Sequence, residues 1–524
     1  MNKAIAPALA LALGIAAAPA VRAATITVNS TADTTGGVPC TLRDAILAAN
    51  TNAVSGGCVA GGATDVIAFA IPVATDPGCN AGTGVCVIKP LTQTPFITGL
   101  VDINGFTQPG ASANTLPGGA YPNVQGLDTQ IRIELDGSLQ PGGTTGLVFN
   151  AGSTGSRVRG LAVLNFHTQM ILNVGTLVTG NYVGTRADGV TKGTQTFGVS
   201  GNGASTIGTA LAADRNLITG ADVNVFVNGG NSTTIEGNLI GTDRTGTVSL
   251  SVGTGIQIRG TTGPAFGHAI VNNVISGNGS FGIELLGTSN AGVSGNAIGV
   301  AVGGAALGNG RGMLIADNAA GTSTITVLTG NAIANSTFAD GLIVLDAAAT
   351  AGFPNSVNVD GTNRFWNNAG LGINLAPQSE MGAAIVSLND ALDADAGPNN
   401  VQNYPVITSA IKNANGSISI SFTLDSLPNG TFGINAWAND DCSAASAREG
   451  RYPSGQISPN VSTDAAGHVA VVFTIPNPPP AGWVVGAGIS MTARDTGAAA
   501  VSEFSACVAV ANAVPVELQS FDAE

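Results

Sequence analysis

Charged side chains in the middle of the chain have the types needed for acid–base chemistry. Asp243 and Arg244 lie in GTDRTG, Arg259 lies in GIQIRG, and Glu284 lies in FGIELLG. A glycoside hydrolase needs two carboxyl groups that act as acid and base, whereas a lyase acting on an acidic polysaccharide uses an arginine or lysine base. These four residues are the catalytic candidates if the protein is an enzyme. The competing interpretation makes Asp243 and Arg244 a solvated loop pair, and the lone His268 structural.

An aspartate-rich segment, NDALDADAGPNN at residues 389–400, offers ligands for a hard cation. Asp393, Asp395 and Asn399 place oxygen ligands at intervals along a bending chain, and Ca²⁺ prefers such ligands. The segment lacks the bidentate glutamate of an EF-hand. The sequence therefore predicts a calcium site here, with a metal-free polar linker as the alternative. No other cofactor is expected.

The chain contains six cysteines, and their even number indicates disulfides in an exported protein. Sequence proximity favours the pairs Cys40–Cys58, Cys79–Cys86 and Cys442–Cys507, although six cysteines allow 15 connectivities. Zinc binding is less favoured because the sequence has no C-x-x-C motif.

The N-terminus and the composition indicate an exported protein. Residues 1–23 have a charged start, a short apolar run and small residues before the end, as a secretory signal peptide does. No later stretch is long and apolar enough for a membrane span. A net charge of −14 with only 10% charged residues argues against nucleic acid, heparin-like polyanions and anionic membranes as partners. We expect a secreted or cell-surface location.

A repeated asparagine motif predicts how these side chains are positioned. The motif occurs as GNYVG, RNLITG, GNLIG, NNVISG, GNAIG and GNAIAN, with its asparagine at positions 181, 216, 238, 273, 296 and 331. The spacings alternate between 35 and 22 or 23 residues, so the unit is about 57 residues. The short step fits one coil of three strands and three turns. The long step adds an inserted loop such as TDRTGTVSLSVG.

These repeats predict an all-β protein built around a right-handed parallel β-helix. The aliphatic residues beside each asparagine would stack inward, and the asparagines would bond along the stack at turn positions with positive φ. The L-x-x-L-x-L pattern of leucine-rich repeats is missing, and a propeller blade needs a longer unit. The predicted organisation is a signal peptide (1–23), cap and first coils (24–124), β-helix (125–388), aspartate-rich linker (389–401), Ig-like β-sandwich (402–511) and tail (512–524).

Both ends of a stack of coils need covering, since open ends expose apolar core and strand edges. In CTLRDAILAAN, residues 40–50, the residues Leu42, Ile46 and Ala49 form one apolar helix face. Thr41 is the expected N-cap, with Asp44 completing a capping box, and Asn50 the expected end. We interpret this helix as the lid of the β-helix.

Period-two patterns after residue 402, such as SISISFTLD and HVAVVFTIP, predict a small antiparallel sandwich. Trp437 and Trp483 are expected in its core, because an exposed position would instead suit stacking on a sugar.

The segment CTLRDAILAAN resembles the C-S-L-R-E-A segment of exported bacterial proteins with right-handed parallel β-helix repeats. GNLIGTDRTG is similar to their repeat, and DADAGPNNVQNYPV and SEFSACV are similar to their closing segments. The resemblance implies a secreted or surface protein related in fold to pectate lyases and adhesins.

The regular repeats without convergent titratable groups favour a non-enzymatic, adhesin-like protein whose lateral surface binds polysaccharide or a cell surface. The first alternative is an enzyme like pectate lyase or polygalacturonase that degrades an acidic polysaccharide. The second is a structural envelope stalk.

Overall fold

The structure is a computed structural model that describes residues 23–513, except 262, 319–320, 325, 347–354, 378–384, 444–447, 457–459 and 499. The predicted signal peptide, apart from Ala23, and the predicted tail beyond residue 513 lie outside the described residues. Within them, short strands wind into a right-handed parallel β-helix that is followed by two antiparallel sheets. The predicted fold class is confirmed.

Three sheets, called A, B and C here, form the sides of the β-helix. Sheet A contains, among the described residues, Ala24–Val28, Asp65–Phe69, Val101–Asn104, Arg157–Arg159, Leu177–Thr179, Thr206–Ile207, Thr234–Glu236, Ala269–Val271, Gly292–Ser294, Thr326–Thr329 and Val357–Val359. Sheet B contains Thr145–Val148, Thr168–Leu172, Gln195–Gly201, Ala221–Asn228, Thr254–Arg259, Phe281–Leu286, Arg311–Ala316, Leu342–Asp346 and Ile373–Pro377. Sheet C contains Cys79–Asn80, Val85–Ile88, Ile133–Asp136, Leu161–Leu164, Tyr182–Val183, Leu217–Ile218, Leu239–Ile240, Val274–Ile275, Ala297–Ile298, Ala332–Ala334 and Arg364–Trp366.

Smaller elements lie at the corners and ends. A parallel pair, Ala265–Phe266 with Thr288–Ser289, flanks the main sheets. Short 3₁₀ helices span Gly105–Thr107, Gly137–Leu139, Ala212–Asp214, Ala391–Asp393 and Pro398–Val401.

Equivalent side chains of successive coils stack in register. In sheet B, Val225 pairs with Ile256, Ile256 with Ile283, and Ile283 with Met313, and all four are fully buried. Successive side chains of a strand point to opposite faces, so the residues between them, such as Gln257, face outward. The stacked aliphatic columns form the core inside the three sheets.

The repeated asparagines form a hydrogen-bonded ladder, which we call the asparagine ladder. From Asn181 to Asn331, each Nδ2 donates to Oδ1 of the next asparagine at 2.8–3.3 Å. The same Oδ1 atoms accept the backbone N–H of the preceding asparagine. The ladder continues to Asn363, which the spacing did not predict.

The expected positive φ of these asparagines is wrong. The left-handed residue precedes the asparagine instead, at Gly180 (φ 65°), Gly237 (φ 74°) and Asn272 (φ 54°). A turn made one residue earlier directs the asparagine side chain into the stack, where its amide reaches both neighbouring coils.

The helix Leu42–Thr51 covers the N-terminal end as predicted. Ile46 is buried and belongs to the core cluster of the β-helix. The Thr41 hydroxyl accepts the N–H of Asp44 at 3.1 Å. The Asp44 carboxylate differs from a capping box, because it accepts from the Ser55 hydroxyl at 2.8 Å and from Gly36 N–H at 3.3 Å.

The predicted helix end at Asn50 is one residue too early. The helix continues to Thr51, and Asn52 follows as the C-cap with φ 53°, a left-handed conformation that ends the helix. Asn50 instead binds the next segment, donating to Phe96 O at 2.7 Å and accepting from Thr98 N–H at 2.8 Å.

The antiparallel sheets, called D and E here, pack on each other after residue 405. Sheet D has the order His468–Ile475, Ile418–Asp425, Val406–Lys412 and Ala511–Asn512, and sheet E has the order Tyr452–Gln456, Thr431–Asn439, Gly488–Asp495 and Val508–Ala509, with Val461–Ser462 beside Thr431–Asn439. Trp437 and Trp483 are both buried, as predicted, but only Trp483 belongs to the core of the sandwich.

This sandwich closes the C-terminal end of the β-helix with its own side chains. Trp437 belongs to the β-helix core cluster and donates through Nε1 to Asn363 O at 2.7 Å, where the asparagine ladder ends. Phe504 packs edge-on against Trp437, with ring centroids 5.0 Å apart.

Two buried carboxyl groups of the sandwich bind the last coil. Glu449 Oε1 accepts both N–H and Nδ2–H of Asn368 at 2.8 Å. Glu503 accepts the N–H of Leu375 at 2.9 Å and of Ser387 at 3.1 Å. Burial raises the pKa of Glu449 to about 7 and that of Glu503 to about 8, although their hydrogen bonds act in the opposite direction.

The three predicted disulfides are present: Cys40–Cys58, Cys79–Cys86 and Cys442–Cys507. Cys40–Cys58 ties the start of the capping helix to the loop after it. Among the described residues, the helices are all too short or too polar to cross a membrane.

Candidate functional site

The outer face of sheet C is covered by the chain itself. Residues 112–130 lie over it and are fastened by Arg215, which is fully buried. Its guanidinium donates to the carbonyls of Gln125 (2.7 Å), Gly126 (3.0 Å) and Pro117 (3.1 Å). Burial lowers the pKa of Arg215 to about 10. Sheet C therefore offers little free surface along these coils.

Two of the predicted catalytic candidates lie on this covered side. Asp243 is 4% exposed, and its carboxylate accepts the N–H groups of Thr247 and Val248, both at 3.1 Å. The solvated pair expected for Asp243 and Arg244 is therefore wrong, because the aspartate is buried and bonded within its own turn. The backbone of Arg244 links this loop to Gly189 and to the covering segment.

The outer face of sheet A carries charges that are already paired. Arg157 contacts Asp214 at 2.5 Å, and Arg159 contacts Asp102 at 2.6 Å. Within each of these partly exposed pairs, the two opposite charges neutralise each other.

The other two candidates, Arg259 and Glu284, lie together on the outer face of sheet B. Glu284 pairs in register with Gln257, two residues before Arg259 on the adjacent strand. Gln257 Nε2 donates to Glu284 Oε2 at 2.7 Å, and the Thr254 hydroxyl donates to the same oxygen at 3.3 Å. The carboxylate is therefore held in one orientation on a rigid sheet.

Arg311, on the following strand, completes this group, and the sequence interpretation missed it. Its guanidinium carbon lies 5.2 Å from the centroid of the Phe281 ring, within the range of a cation–π contact. Its Nε is buried without a hydrogen-bond partner. The ion pairs found among the described residues include neither Arg311 nor the exposed Arg259. We call Thr254, Gln257, Arg259, Glu284 and Arg311 the sheet B cluster.

The electrostatics of the sheet B cluster are dominated by burial. Desolvation raises the pKa of Glu284, opposed in part by the hydrogen bonds from Gln257 and Thr254 and by the charges of Arg259 and Arg311. A half-buried carboxyl group between two arginines suits hydrogen bonding or proton transfer to a ligand.

Aromatic side chains flank the sheet B cluster along the axis. Phe338, 68% exposed, lies beside the strand that carries Arg311, and its N–H donates to Gly310 O at 2.9 Å. Towards the other end, the rings of Phe197 and Phe226 stack at 5.1 Å, and the exposed His167 packs against Phe197 at 5.8 Å. From strand 195–201 to strand 311–316 there are four inter-strand steps of about 4.8 Å, which is roughly 19 Å. Beyond Glu284 the face is covered in part, because Leu314, Ala316, Ile343 and Leu345 are buried in an apolar cluster with Phe281.

A second sequence pattern locates the missed arginine. The segments TGIQI, FGIEL and RGMLI align on their glycines, and this alignment places Gln257 beside Glu284 and Arg311 beside Phe281 on neighbouring strands of one sheet. The glycine is required because a Cβ on Gly255 would lie 2.5 Å from Gly282 O of the next coil.

Glu284 does not form a catalytic carboxyl pair with Asp340, another acid near Arg311. Asp340 is fully buried, and its two oxygens accept from Leu371 N–H (2.5 Å) and Asn374 Nδ2 (3.0 Å). His268 is also buried, its Nδ1 accepts from Thr233 N–H at 3.2 Å, and burial lowers its pKa to about 4. Both residues serve the scaffold.

The predicted calcium ligands separate into two groups. Asp393 and Asp395 lie with Asp390, with their ligand atoms within 4.8 Å of one another. Desolvation, together with the charges of Asp395 and Asp390, raises the pKa of Asp393 to about 6 against hydrogen bonds from Ser426 and Asn403. Calcium binding by this group stays a prediction.

Asn399 lies apart from that group and closes sheet A. Its Oδ1 accepts the N–H of Val357, in the last strand, at 2.7 Å, and its Nδ2 donates to Val501 O at 2.9 Å. Its amide therefore links the last coil to the sandwich.

Comparisons with known proteins give distant similarities. No protein-family model and no curated protein matches the sequence. Among solved structures, the A-module of mannuronan C-5 epimerase AlgE4 from Azotobacter vinelandii shares 14% identity over 59% of this chain and 82% of its own, with a TM-score of 0.36. The tailspike gp49 of Acinetobacter baumannii bacteriophage Fri1, a capsular polysaccharide depolymerase, shares 12% over 81% and 80% (TM-score 0.29).

The surface adhesin PfbA of Streptococcus pneumoniae shares 14% identity over 64% of this chain and 88% of its own, with a TM-score of 0.25. At these values the similarity carries no argument about function. The fold assignment rests on the strand pairing of the chain itself.

Proposed function

We propose that this protein is an exported β-helix protein that binds a polysaccharide on the outer face of sheet B without cleaving it. The observation that carries the proposal is the sheet B cluster, which has unpaired arginines and a fixed carboxyl group on adjacent coils and is flanked by the exposed ring of Phe338. The faces of sheets A and C supply a contrast, since one has paired charges and the other is covered.

The geometry suits an extended saccharide chain that runs along the helix axis. Phe338 offers an exposed ring face for stacking on a sugar. Gln257 and Glu284 offer hydrogen-bonding groups on the next coils, in the arrangement of aromatic and polar side chains that binding sites use. Because these side chains lie on a sheet, they are held in place before binding.

Export is part of the proposal. Three disulfides are typical of proteins from oxidising compartments, and the first residues have the pattern of a signal peptide. Fractionation of the cells that produce the protein, with detection only in the cytoplasm, would contradict this part.

The test of binding is an affinity measurement on immobilised polysaccharides of several classes, comparing the wild type with Phe338→Ala. Loss of a stacking ring worth about 1 kcal/mol should weaken binding roughly fivefold. Phe266→Ala is the matched control, because Phe266 is also about half exposed (51%) but lies on the short parallel pair outside sheet B. Equal losses in both variants, or no binding by the wild type, would refute the proposed surface.

An enzymatic function is the second candidate, and the raised pKa of Glu284 is the observation that favours it. A polysaccharide lyase or hydrolase would need a second acid–base group, and Asp340 is not accessible for that role. Incubation with polyuronates should yield no new reducing or unsaturated ends. Product formation that Glu284→Gln abolishes would replace the binding proposal with catalysis.

A further inference from the structure

We propose that the sheet B cluster recognises an anionic group on its polysaccharide, a carboxylate or a sulfate ester, through Arg259 and Arg311. This inference rests on the proposed binding function and names its ligand class. It follows from the partners of the arginines in the structure and from the net charge of the chain.

Most arginines of the described chain already have a partner. Arg43, Arg157, Arg159, Arg186 and Arg451 form ion pairs with aspartate or glutamate. Arg215 and Arg448 donate to backbone carbonyls. Unpaired arginines are therefore the exception in a chain with 18 basic and 32 acidic residues.

Two of the exceptions lie on the outer face of sheet B, on the two strands that flank Glu284. Arg259 pairs in register with Leu286, two residues after Glu284, and Arg311 pairs with Phe281, three residues before it. Neither arginine forms an ion pair with a described residue. The Nε of Arg311 is buried without a hydrogen-bond partner, and its plane is supported by the Phe281 ring. A guanidinium held in this way presents its remaining donors to a planar or tetrahedral anion.

The net charge of the whole molecule opposes the binding of an anionic polymer. With a net charge of −14, the protein repels polyanions at long range. Binding of an acidic polysaccharide therefore requires a local basic site, and in sheet B the two arginines lie on either side of Glu284. A negative Glu284 opposes an anionic ligand, so its charge sets the affinity in the opposite direction to theirs.

The experiment uses two matched pairs of polymers with the full-length protein. Polygalacturonate is compared with the same polymer after its carboxyl groups are reduced, and dextran sulfate is compared with dextran. Affinity is measured by interferometry at low and at physiological salt. We expect binding to one charged member, at least tenfold tighter than to its neutral partner, and weaker at the higher salt.

Variants then assign the selectivity to the arginines. Arg259→Gln and Arg311→Gln should each weaken binding to the charged polymer about tenfold to a hundredfold. Glu284→Gln, which retains an acceptor for Gln257, should strengthen binding a few-fold. Opposite signs at neighbouring positions would not arise from a general loss of structure. Arg244→Gln, on the covered side, is the control and should leave affinity unchanged.

The outcomes separate this inference from the proposed function. Preference for polygalacturonate identifies a carboxylate as the anion, and preference for dextran sulfate identifies a sulfate; either supports the inference. Equal binding to charged and neutral polymers, unchanged by Arg259→Gln and Arg311→Gln, overturns it and leaves polysaccharide binding intact. No binding to any of the four, or to the other polysaccharide classes, overturns both.

Discussion

Replacing Asn238 with alanine tests whether the asparagine ladder holds the coils together. Asn238 is fully buried. Its Nδ2 donates to Ile207 O at 2.8 Å and to Asn273 Oδ1 at 3.0 Å, and its Oδ1 accepts from Asn216 N–H at 3.2 Å and Nδ2 at 2.8 Å. Alanine removes these bonds, so Asn216 N–H and Ile207 O lose these partners, whereas Asn273 Oδ1 still accepts the backbone N–H of residue 238.

The expected cost follows from the groups that lose their partners. Each buried donor or acceptor left unsatisfied costs about 1–3 kcal/mol, and Asn216 N–H and Ile207 O are two such groups. We therefore expect a local loss of roughly 3 kcal/mol. Because contacts in a stack are mainly between neighbouring coils, the loss should be confined to the coils around Asn238.

Hydrogen exchange followed by mass spectrometry measures this loss coil by coil. A decrease of about 3 kcal/mol in the opening free energy corresponds to roughly hundredfold faster exchange of the protected amides. Peptides that contain strands 217–218 and 239–240 should show it, and peptides from sheets D and E should not. Asn202→Ala is the control, since Asn202 is exposed. Unchanged exchange in these coils would refute a stabilising role for the ladder.

Three further predictions concern the ends of the β-helix. Burial raises the folded pKa of Glu449 to about 7 and that of Glu503 to about 8, above their unfolded value near 4.5. The stability that their protonated forms contribute is therefore complete below pH 4.5 and is lost as pH rises through 7 to 8, so the melting temperature should fall over this range. Glu503→Gln should make this fall smaller, and an unchanged profile of melting temperature against pH would contradict the prediction. Ca²⁺ should raise the melting temperature of the wild type but not of Asp395→Asn, and calorimetry without heat would exclude the site. Thr41→Ala should cost about 1 kcal/mol in denaturant unfolding through loss of the helix N-cap, and a change of zero would argue against that cap.

The sequence was sufficient to predict the scaffold because its constraints are repeated. Each ladder asparagine, such as Asn238, and its aliphatic neighbours recur at every coil, so one pattern is observed many times. The disulfides joined cysteines that are neighbours in sequence order, and the capping helix had a clear apolar face. In contrast, Asn363 escaped detection because its motif, TNRFW, has lost the aliphatic pair, and Asn399 was assigned to metal because it lies next to aspartates in sequence.

The site was predicted only in part because the loops hide the register of sheet B. Arg259 and Glu284 were named, but Asp243 and Arg244 were grouped with them because they are close in sequence. Inserted loops carry Asp243 to the covered side of sheet C, whereas Arg311, 27 residues after Glu284, returns to its adjacent strand. Proximity on a β-helix depends on coil register and on which of the three sheets a residue joins.

The three sheets of the β-helix differ in how many of their outward side chains are already engaged within the protein. This difference explains why we place the ligand-binding residues on sheet B. Inward positions are fixed by packing, and the outward face of sheet C is fixed by the segment that Arg215 fastens. On sheet A, Arg157 and Arg159 are already paired with aspartates. On sheet B, outward residues such as Leu314 and Ile343 are buried in an apolar cluster, whereas Arg259 and Arg311 form no ion pair with a described residue. Unpaired charges on a rigid sheet are better explained by a ligand than by folding.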